Sequence, residues 1–151
     1  MLGFAIGKTS EGGAGVDKGG GTPEARVVQA WHAALNEGDT ERLVGLSHPD
    51  VEIGGPRGSG RGVRLLREWL DRANVRLGPR RLFRRGEKVV VEQAGQWRSA
   101  ESGEVIGSQS VASVFVVSDG QVRSVARYDD LSEALNTAGL DNSDEIPPEH
   151  R

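Results

Sequence analysis

Two charged side chains near the end of a strand-like segment are the strongest candidates for chemistry in this chain. Arg127 and Asp129 are two residues apart, so in an extended strand they lie on one face. The fork of a guanidinium suits planar anions such as a carboxylate or an enolate. Asp129 could act as a general base if the protein shields it partly from water. Arg127 could instead form an internal ion pair, and the carboxylates available for it are Asp129, Asp130 and Glu92.

The composition excludes several other kinds of site. The 151 residues include no cysteine, which rules out disulfides, thiolate nucleophiles and cysteine-ligated zinc or iron–sulfur centres. The three histidines, His32, His48 and His150, are widely spaced, so we expect neither a metal centre nor another cofactor. No apolar run approaches the roughly 18–20 residues of a membrane span, and the first residues do not resemble a signal peptide. These features predict a cytoplasmic protein.

The chain length fits one compact domain, because domains of about 150 residues bury a sizeable core. Residues 1–21 contain eight glycines and no apolar periodicity, which predicts a disordered leader. Residues 141–151 are acidic and include Pro147 and Pro148, which predicts a flexible tail. The expected folded unit is therefore 22–140.

Within that unit, helical patterns come first and strand patterns follow. Thr22 and Pro23 predict the start of a first helix, Gly38 predicts its end, and Asp39 or Thr40 is suited to cap a short second helix. The further predicted elements are a strand at 51–53, a loop at 54–62, a helix at 63–77, strands at 80–84, 89–98, 109–117 and 122–128, and a helix at 131–138. This order predicts an α+β fold with helices on one face of a curved antiparallel sheet.

The positive charge of the chain is concentrated in one segment. Residues 57–85 contain ten arginines against Glu68 and Asp71, which gives this segment a net charge of +8. An anionic partner is one interpretation, and a solvated surface paired with acidic groups elsewhere is the other. Because no nucleic-acid-binding motif accompanies the arginines, we do not expect nucleic acid to be the partner.

A glycine-rich segment precedes the third predicted helix. The loop at 54–62 contains five glycines and superficially suggests a phosphate-binding loop. It lacks the Lys-Ser/Thr pair of such a loop, and its surroundings do not form a parallel βαβ unit. We therefore expect a flexible rim of a pocket.

Several local phrases resemble the SnoaL-like, or polyketide-cyclase-like, group of the nuclear transport factor 2-like superfamily. They occur at 31–39 (WHAALNEGD), 50–52 (DVE), 60–62 (GRG), 119–122 (DGQV), 128–130 (YDD) and 133–140 (EALNTAGL). The resemblance spans about 23–140. It implies a cystatin-like α+β cone-shaped roll, in which a curved and mainly antiparallel sheet wraps around three N-terminal helices.

The resemblance also implies a homodimer, because sheets of this superfamily commonly pack against each other. The apolar residues expected on the sheet face away from the cone are Val90, Ala94, Ala112, Val114 and Val116.

The catalytic residues of the superfamily's steroid isomerases are not matched. Alignment of the helix-one phrase places Trp31 where those enzymes have the Tyr that binds the oxyanion. Ile53 stands at the position of the base Asp, and Ser113 stands near that of the second Asp. An indole N–H can donate a hydrogen bond, but Ile53 cannot accept a proton, so the resemblance does not extend to isomerisation by a dienolate.

Two further chemistries of the superfamily also lack their residues. In the Asp–Arg–Asp set of its limonene-epoxide hydrolases, the Arg and one Asp correspond to Gln93 and Gly95, and the other Asp corresponds to Arg127. The cyclases favour an Asp with a nearby His, and although Asp129 is suitably placed, no histidine lies on a strand expected in the pocket. The resemblance therefore specifies the fold and leaves the reaction open.

The same alignment implies an apolar cone with few polar groups, which is the usual composition of a small-molecule site. The expected ligand contacts are Trp31, Ile53, Trp69, Gln93, Trp97, Ser113 and Phe115, with Arg127 and Asp129 as the catalytic candidates. A plain core role is the alternative for each tryptophan, and Gln93 could be a satisfied polar core residue. His32 is expected to be packed or at the rim.

Two functions follow as hypotheses. The first is a SnoaL-like small-molecule-binding protein, an enzyme of isomerase, cyclase or hydrolase type or a remnant of one, whose ligand is hydrophobic and partly anionic. The second is a non-catalytic dimeric binding module.

Overall fold

The computed structural model describes residues 22–55, 58–73, 75–99 and 101–147, with the side chains of 70–73 outside that description. The predicted leader at 1–21 and the last four residues of the predicted tail lie outside the described residues. The described chain forms four α-helices, which are α1 (Pro23–Glu37), α2 (Thr40–Gly45), α3 (Val63–Ala73) and α4 (Leu131–Ala138). Its strands are β1 (Ser47–Gly55), β2 (Gly58–Arg61), β3 (Val75–Arg85), β4 (Lys88–Arg98), β5 (Val105–Ser118), β6 (Gln121–Tyr128) and β7 (Glu145–Ile146).

The helix ends follow from local capping. The Thr22 hydroxyl accepts a hydrogen bond from the Ala25 N–H at 3.2 Å, and Gly38 ends α1 with a left-handed φ of 71°. The Asp130 carboxylate caps α4 at the Glu133 N–H, 2.8 Å away, and Gly139 ends it in the same way as Gly38. These boundaries confirm the sequence prediction. None of the described helices is long and apolar enough to cross a membrane.

The strands form one curved sheet with the order β2-β1-β6-β5-β4-β3-β7. All neighbouring pairs are antiparallel except β1 and β6, which run parallel. Apolar residues of α1, α2 and α3 pack with one face of β3, β4 and β5 in a single core. The molecule is thus an α+β fold in which an unclosed sheet curves around the N-terminal helices, as the sequence predicts.

The two faces of the sheet bury different side chains. On β4, Val89 and Val91 belong to the core inside the curve, whereas Val90 packs against α4 on the outer face. Ala112 and Val114 of β5 pack there too. The expectation of free apolar surface at these three outer positions is wrong, because α4 covers them.

Two predicted boundaries also need correction. The loop predicted at 54–62 is instead largely a β-hairpin, in which Ile53 faces Gly60 and Gly54 faces Ser59 across β1 and β2. The third helix ends at Ala73, and Leu77 lies on β3. The side chain of Asn36 explains the second difference, because it donates to the Leu77 carbonyl at 2.8 Å and accepts from the Leu77 N–H at 2.9 Å. These bonds hold Leu77 in extended backbone beside α1.

The beginning of the predicted flexible tail is built into the fold. Residues 142–144 form a 3-10 turn capped by Asp141, and β7 then pairs with β3. The Arg81 guanidinium donates two hydrogen bonds to Glu145, at 3.0 and 2.9 Å, and Arg85 reaches Asp144 at 2.8 Å. The prediction of a flexible segment is therefore wrong for 141–147, because charges on β3 bind the acidic residues.

Other arginines of the basic segment are paired in the same way. The pairs are Arg67 with Glu41, Arg64 with Glu68, and Arg84 with Glu24. The side chains of Arg57 and Arg72 lie outside the described residues. This pairing favours the interpretation of a solvated surface complemented by acidic groups.

Candidate ligand-binding site

A cavity of about 760 Å³ opens on the inner face of the curved sheet. Its size lies within the range of about 300–1,000 Å³ that is usual for small-molecule sites. The lining residues come from α1, α3, the β1–β2 hairpin and the inner faces of β3 to β6, and they are Trp31, Ile53, Gly54, Gly55, Gly58, Ser59, Gly60, Leu65, Leu66, Trp69, Leu77, Gln93, Ser113, Phe115, Val125 and Arg127. Arg127 is the one charged residue among these described lining groups.

Most of the predicted contact residues meet in this cavity. Six of the seven predicted ligand contacts line it, and so does the catalytic candidate Arg127. Trp97 and the second catalytic candidate, Asp129, do not line it. The sequence predictions missed Ser59, because the hairpin that carries it was predicted as a loop. They also missed Leu65 of α3, whose side chain packs against Gly60 of β2.

Trp97 packs on its own strand instead of facing the cavity. A Cβ atom added at Gly95 would lie 3.0 Å from Cη2 of the Trp97 ring. The indole therefore occupies the space that a side chain at position 95 would fill. Trp97 is partly buried and packs against the inner core.

The far end of the cavity is closed by a buried hydrogen-bonded chain. The Ser113 hydroxyl donates to Oε1 of Gln93 at 2.9 Å, and Nε2 of Gln93 lies 2.8 Å from Nε2 of His32. Nδ1 of His32 lies 2.8 Å from the Val28 carbonyl, which can only accept. His32 consequently carries its proton on Nδ1, and its Nε2 accepts from the Gln93 amide. These hydrogen bonds satisfy the side chains of Ser113, Gln93 and His32 without a ligand. They support the interpretation of Gln93 as a satisfied polar residue of the core.

Burial sets the charge state of that chain. His32 is 1% exposed, and desolvation lowers its pKa to about 4, while the hydrogen bond to the Val28 carbonyl opposes this shift. The imidazole is therefore neutral at pH 7. It positions Gln93 and has no contact with solvent that would allow proton exchange with a ligand.

The Trp31 indole forms a wall of the cavity and is fixed from behind. Its Nε1–H donates to the Ser47 hydroxyl at 3.2 Å, and that hydroxyl donates to the Leu43 carbonyl at 2.9 Å. Its ring meets Phe115 edge-on, with centroids 5.2 Å apart. The indole N–H is thus engaged within the protein and is not available to bind an oxyanion.

Arg127 stands at the mouth of the cavity and is exposed. It is the neighbour of Ser113 in the register of β5 and β6, and Val125 precedes it on the same face. No hydrogen bond or ion pair joins its guanidinium to a residue that the structure describes. The internal pairs considered from the sequence, with Asp129, Asp130 or Glu92, are therefore not formed.

A second, smaller cleft of about 160 Å³ lies on the other side of Arg127. It is lined by Gly55, Ala126, Arg127, Tyr128, Asp129 and Glu133. Gly55 and Arg127 line both hollows, and Tyr128 of the smaller cleft packs on the outer face of the sheet with α4. Asp129 lines only this smaller cleft, two residues after Arg127.

Comparison with known protein families agrees with the fold described above. The model of the SnoaL-like domain matches residues 28–125, and the chain belongs to that family. No curated protein matches the sequence.

Solved structures with a similar fold include proteins crystallised with small molecules. TerC, co-crystallised with polyporic acid, is 22% identical, with a TM-score of 0.64 over 77% of this chain and 97% of that chain. A protein from Catenulispora acidiphila with a ketosteroid isomerase-like fold, in complex with trimethylamine, is 22% identical, with a TM-score of 0.60 over 80% of this chain and 97% of that chain. A protein from Xanthomonas campestris, provisionally assigned as a polyketide cyclase, is 23% identical, with a TM-score of 0.60 over 74% and 93% of the two chains. At these identities the likeness is one of fold.

Proposed function

We propose that this protein binds a small organic acid with a hydrophobic body in the cavity inside the sheet. The observation that carries the proposal is the guanidinium of Arg127, which has no partner among the described residues, at the mouth of a largely apolar cavity of about 760 Å³. The apolar body of such a ligand would displace water from Ile53, Val125 and Trp69. Its carboxylate or enolate would bind to Arg127 through charge-assisted hydrogen bonds.

The charge distribution supports an anion over a neutral or cationic ligand. Arg127 is the only charged side chain among the described lining residues of the main cavity. Arg67, Arg81, Arg84 and Arg85 are held by carboxylates of the chain, whereas no carboxylate in the described part of the chain pairs with Arg127. The complex of TerC with polyporic acid is a precedent for an organic acid on this fold.

A non-catalytic dimeric binding module is the second candidate. What favours it is the absence of an aspartate, glutamate or histidine from the described lining of the main cavity, since most reactions of this superfamily need a base. In the enzymatic alternative, of isomerase, cyclase or hydrolase type, Asp129 would be the base, acting on the part of the ligand next to Arg127. Both candidates share the same ligand class, and the homodimer remains part of the proposal.

Replacing Arg127 should weaken binding of an acid without affecting its neutral analogue. We expect Arg127→Ala to raise the Kd of 3-(2-naphthyl)propanoate about tenfold, since a hydrogen bond to a charged group contributes about 1.5–3 kcal/mol and exposure reduces this. The Kd of 3-(2-naphthyl)propanamide should stay within about twofold. Isothermal titration calorimetry at low salt measures both.

Arg123→Ala provides the matched control, because Arg123 lies on the same strand but pairs with Asp119 and does not line the cavity. It should leave both Kd values unchanged. Equal weakening of acid and amide by Arg127→Ala, or no binding of the acid to the unaltered protein, would overturn the proposal.

A further inference from the structure

The buried hydrogen-bonded chain behind the cavity has a fixed direction. The Val28 carbonyl can only accept, so the neutral His32 imidazole donates from Nδ1 and accepts at Nε2. The amide nitrogen of Gln93, which lies 2.8 Å from that Nε2, is then the donor of the second bond. This turns Oε1 of Gln93 towards Ser113, whose hydroxyl donates to it over 2.9 Å. The orientation of the Ser113 hydroxyl is therefore set three hydrogen bonds away, at a main-chain carbonyl.

Ser113 consequently faces the cavity as a hydrogen-bond acceptor. A serine hydroxyl has one hydrogen and two lone pairs, and the hydrogen of Ser113 is committed to Gln93. Among the residues that the structure describes, none donates a hydrogen bond to the Ser113 oxygen. Ser113 is buried and yet lines the main cavity, so little water competes for its lone pairs. A ligand group that donates a hydrogen bond suits this position.

Ser113 stands beside Arg127 on the inner face of the sheet. The two are partners in the register of β5 and β6, and such partners have Cβ atoms about 4.5–5.5 Å apart. Phe115 and Val125 form the next pair along the same face, and all four residues line the main cavity. A ligand with its carboxylate at Arg127 and its rings at Val125 therefore places the chain that joins them next to Ser113.

We propose that Ser113 is a specificity-determining residue, which selects a hydroxyl on the carbon chain between the carboxylate and the hydrophobic body of the ligand. The ligand hydroxyl donates to Oγ of Ser113, and Gln93 is the positioning residue that keeps this oxygen an acceptor. The ligand class is then a hydroxy acid with a hydrophobic body. This inference rests on the proposed function, since it needs the acid to bind at Arg127.

Other polar groups on the ligand suit the same place less well. An ether or carbonyl oxygen only accepts hydrogen bonds, and the hydrogen of Ser113 is already used. A protonated amine donates, but the positive charge of Arg127 beside it disfavours a second cation. The hydroxyl is thus the group that fits both Ser113 and its charged neighbour.

The test compares acids that differ only on carbon 2 or carbon 3 of 3-(2-naphthyl)propanoate. The carbon carries hydrogen, a hydroxyl or a methoxyl group, and the substituted acids are used as separate enantiomers. The unaltered protein should bind one of the hydroxy acids about fivefold more tightly than the unsubstituted acid, because a buried hydrogen bond is gained. The corresponding methoxy acid should show no gain, since it only accepts. Isothermal titration calorimetry at low salt measures each Kd.

Ser113→Ala removes the acceptor and should abolish the preference. The variant should still bind the unsubstituted acid, and the hydroxy acid should bind within about twofold of it. Ser110→Ala is the matched control, because Ser110 is exposed on the same strand and lines neither hollow. It should keep the fivefold preference.

Gln93→Met tests the positioning role of Gln93. Methionine is similar in size but offers no carboxamide oxygen, so the Ser113 hydroxyl can turn its hydrogen towards the ligand. The ratio of the methoxy Kd to the hydroxy Kd should then fall at least about threefold. A loss of stability alone would leave this ratio unchanged. Gln96→Met, on the same strand but outside the lining of the main cavity, should keep the ratio of the unaltered protein.

The outcomes separate this inference from the proposed function. Binding of the unsubstituted acid without a gain for either hydroxy acid would overturn selection by Ser113 and leave the proposed function intact. A gain that persists in Ser113→Ala would also overturn it, because another group would then be the acceptor. An unchanged ratio in Gln93→Met would overturn the positioning role of Gln93. Failure of all the acids to bind would overturn the proposed function itself.

Discussion

The free energy of unfolding should fall by about 3 kcal/mol as the pH is lowered from 6.5 to 4, through His32 alone. Below pH 6.5 the imidazole of the unfolded chain takes up a proton, whereas burial keeps His32 neutral in the folded protein down to about pH 4. The unfolded state therefore binds more protons in this window, and each pH unit costs about 1.4 kcal/mol. Urea denaturation at half-unit pH steps measures this slope.

The variant His32→Phe isolates the effect from that of the carboxylates. Phenylalanine keeps an aromatic ring beside those of Trp31 and Phe115, which His32 contacts, and it does not titrate. Between pH 6.5 and 4, the free energy of unfolding of the unaltered protein should fall by about 3 kcal/mol more than that of His32→Phe. Parallel curves for the unaltered protein and His32→Phe would contradict the buried neutral histidine.

Trp31→Ala should lower the free energy of unfolding by about 3–5 kcal/mol, the usual cost of removing a fully buried aromatic side chain. Trp31 is 1% exposed, packs edge-on against Phe115 and is bonded to Ser47. The substitution removes these contacts and leaves the Ser47 hydroxyl without its donor. Urea denaturation with an unchanged m-value measures the loss.

Trp69→Ala is the comparison that separates a core role from a ligand-binding role. Trp69 also lines the cavity, but it is only partly buried. We expect its removal to cost about 1–2 kcal/mol, since less apolar area is exposed, and to weaken binding of 3-(2-naphthyl)propanoate. Similar losses of stability for both variants would contradict the assignment of Trp31 to the core and Trp69 to the site.

Features set by local sequence could be predicted. The ends of α1 and α4 depend on Thr22, Gly38 and Gly139, whose capping roles involve only the adjacent turn. Side chains alternate between the two faces along a strand, and the resemblance indicates which of them face inward. Together these predict the cavity-facing residues of β4 and β5. That is why Gln93 and Ser113 could be assigned to the inner face.

Features set by contacts distant in sequence could not be predicted. His32 and Gln93 are 61 residues apart, and only the folded sheet brings them together. The strand β2 lacks the alternation of apolar residues that marks a strand, because its sequence is GSGR. That Arg127 has no partner among the described residues depends on the placement of every nearby carboxylate, which a linear pattern does not contain.

A crystal structure of the protein with 3-(2-naphthyl)propanoate tests the central claim most directly. We expect the naphthalene rings in the cavity between Trp69 and Val125, and the carboxylate within hydrogen-bond distance of the Arg127 guanidinium. A ligand bound outside this cavity, or one whose carboxylate points away from Arg127, would contradict the account.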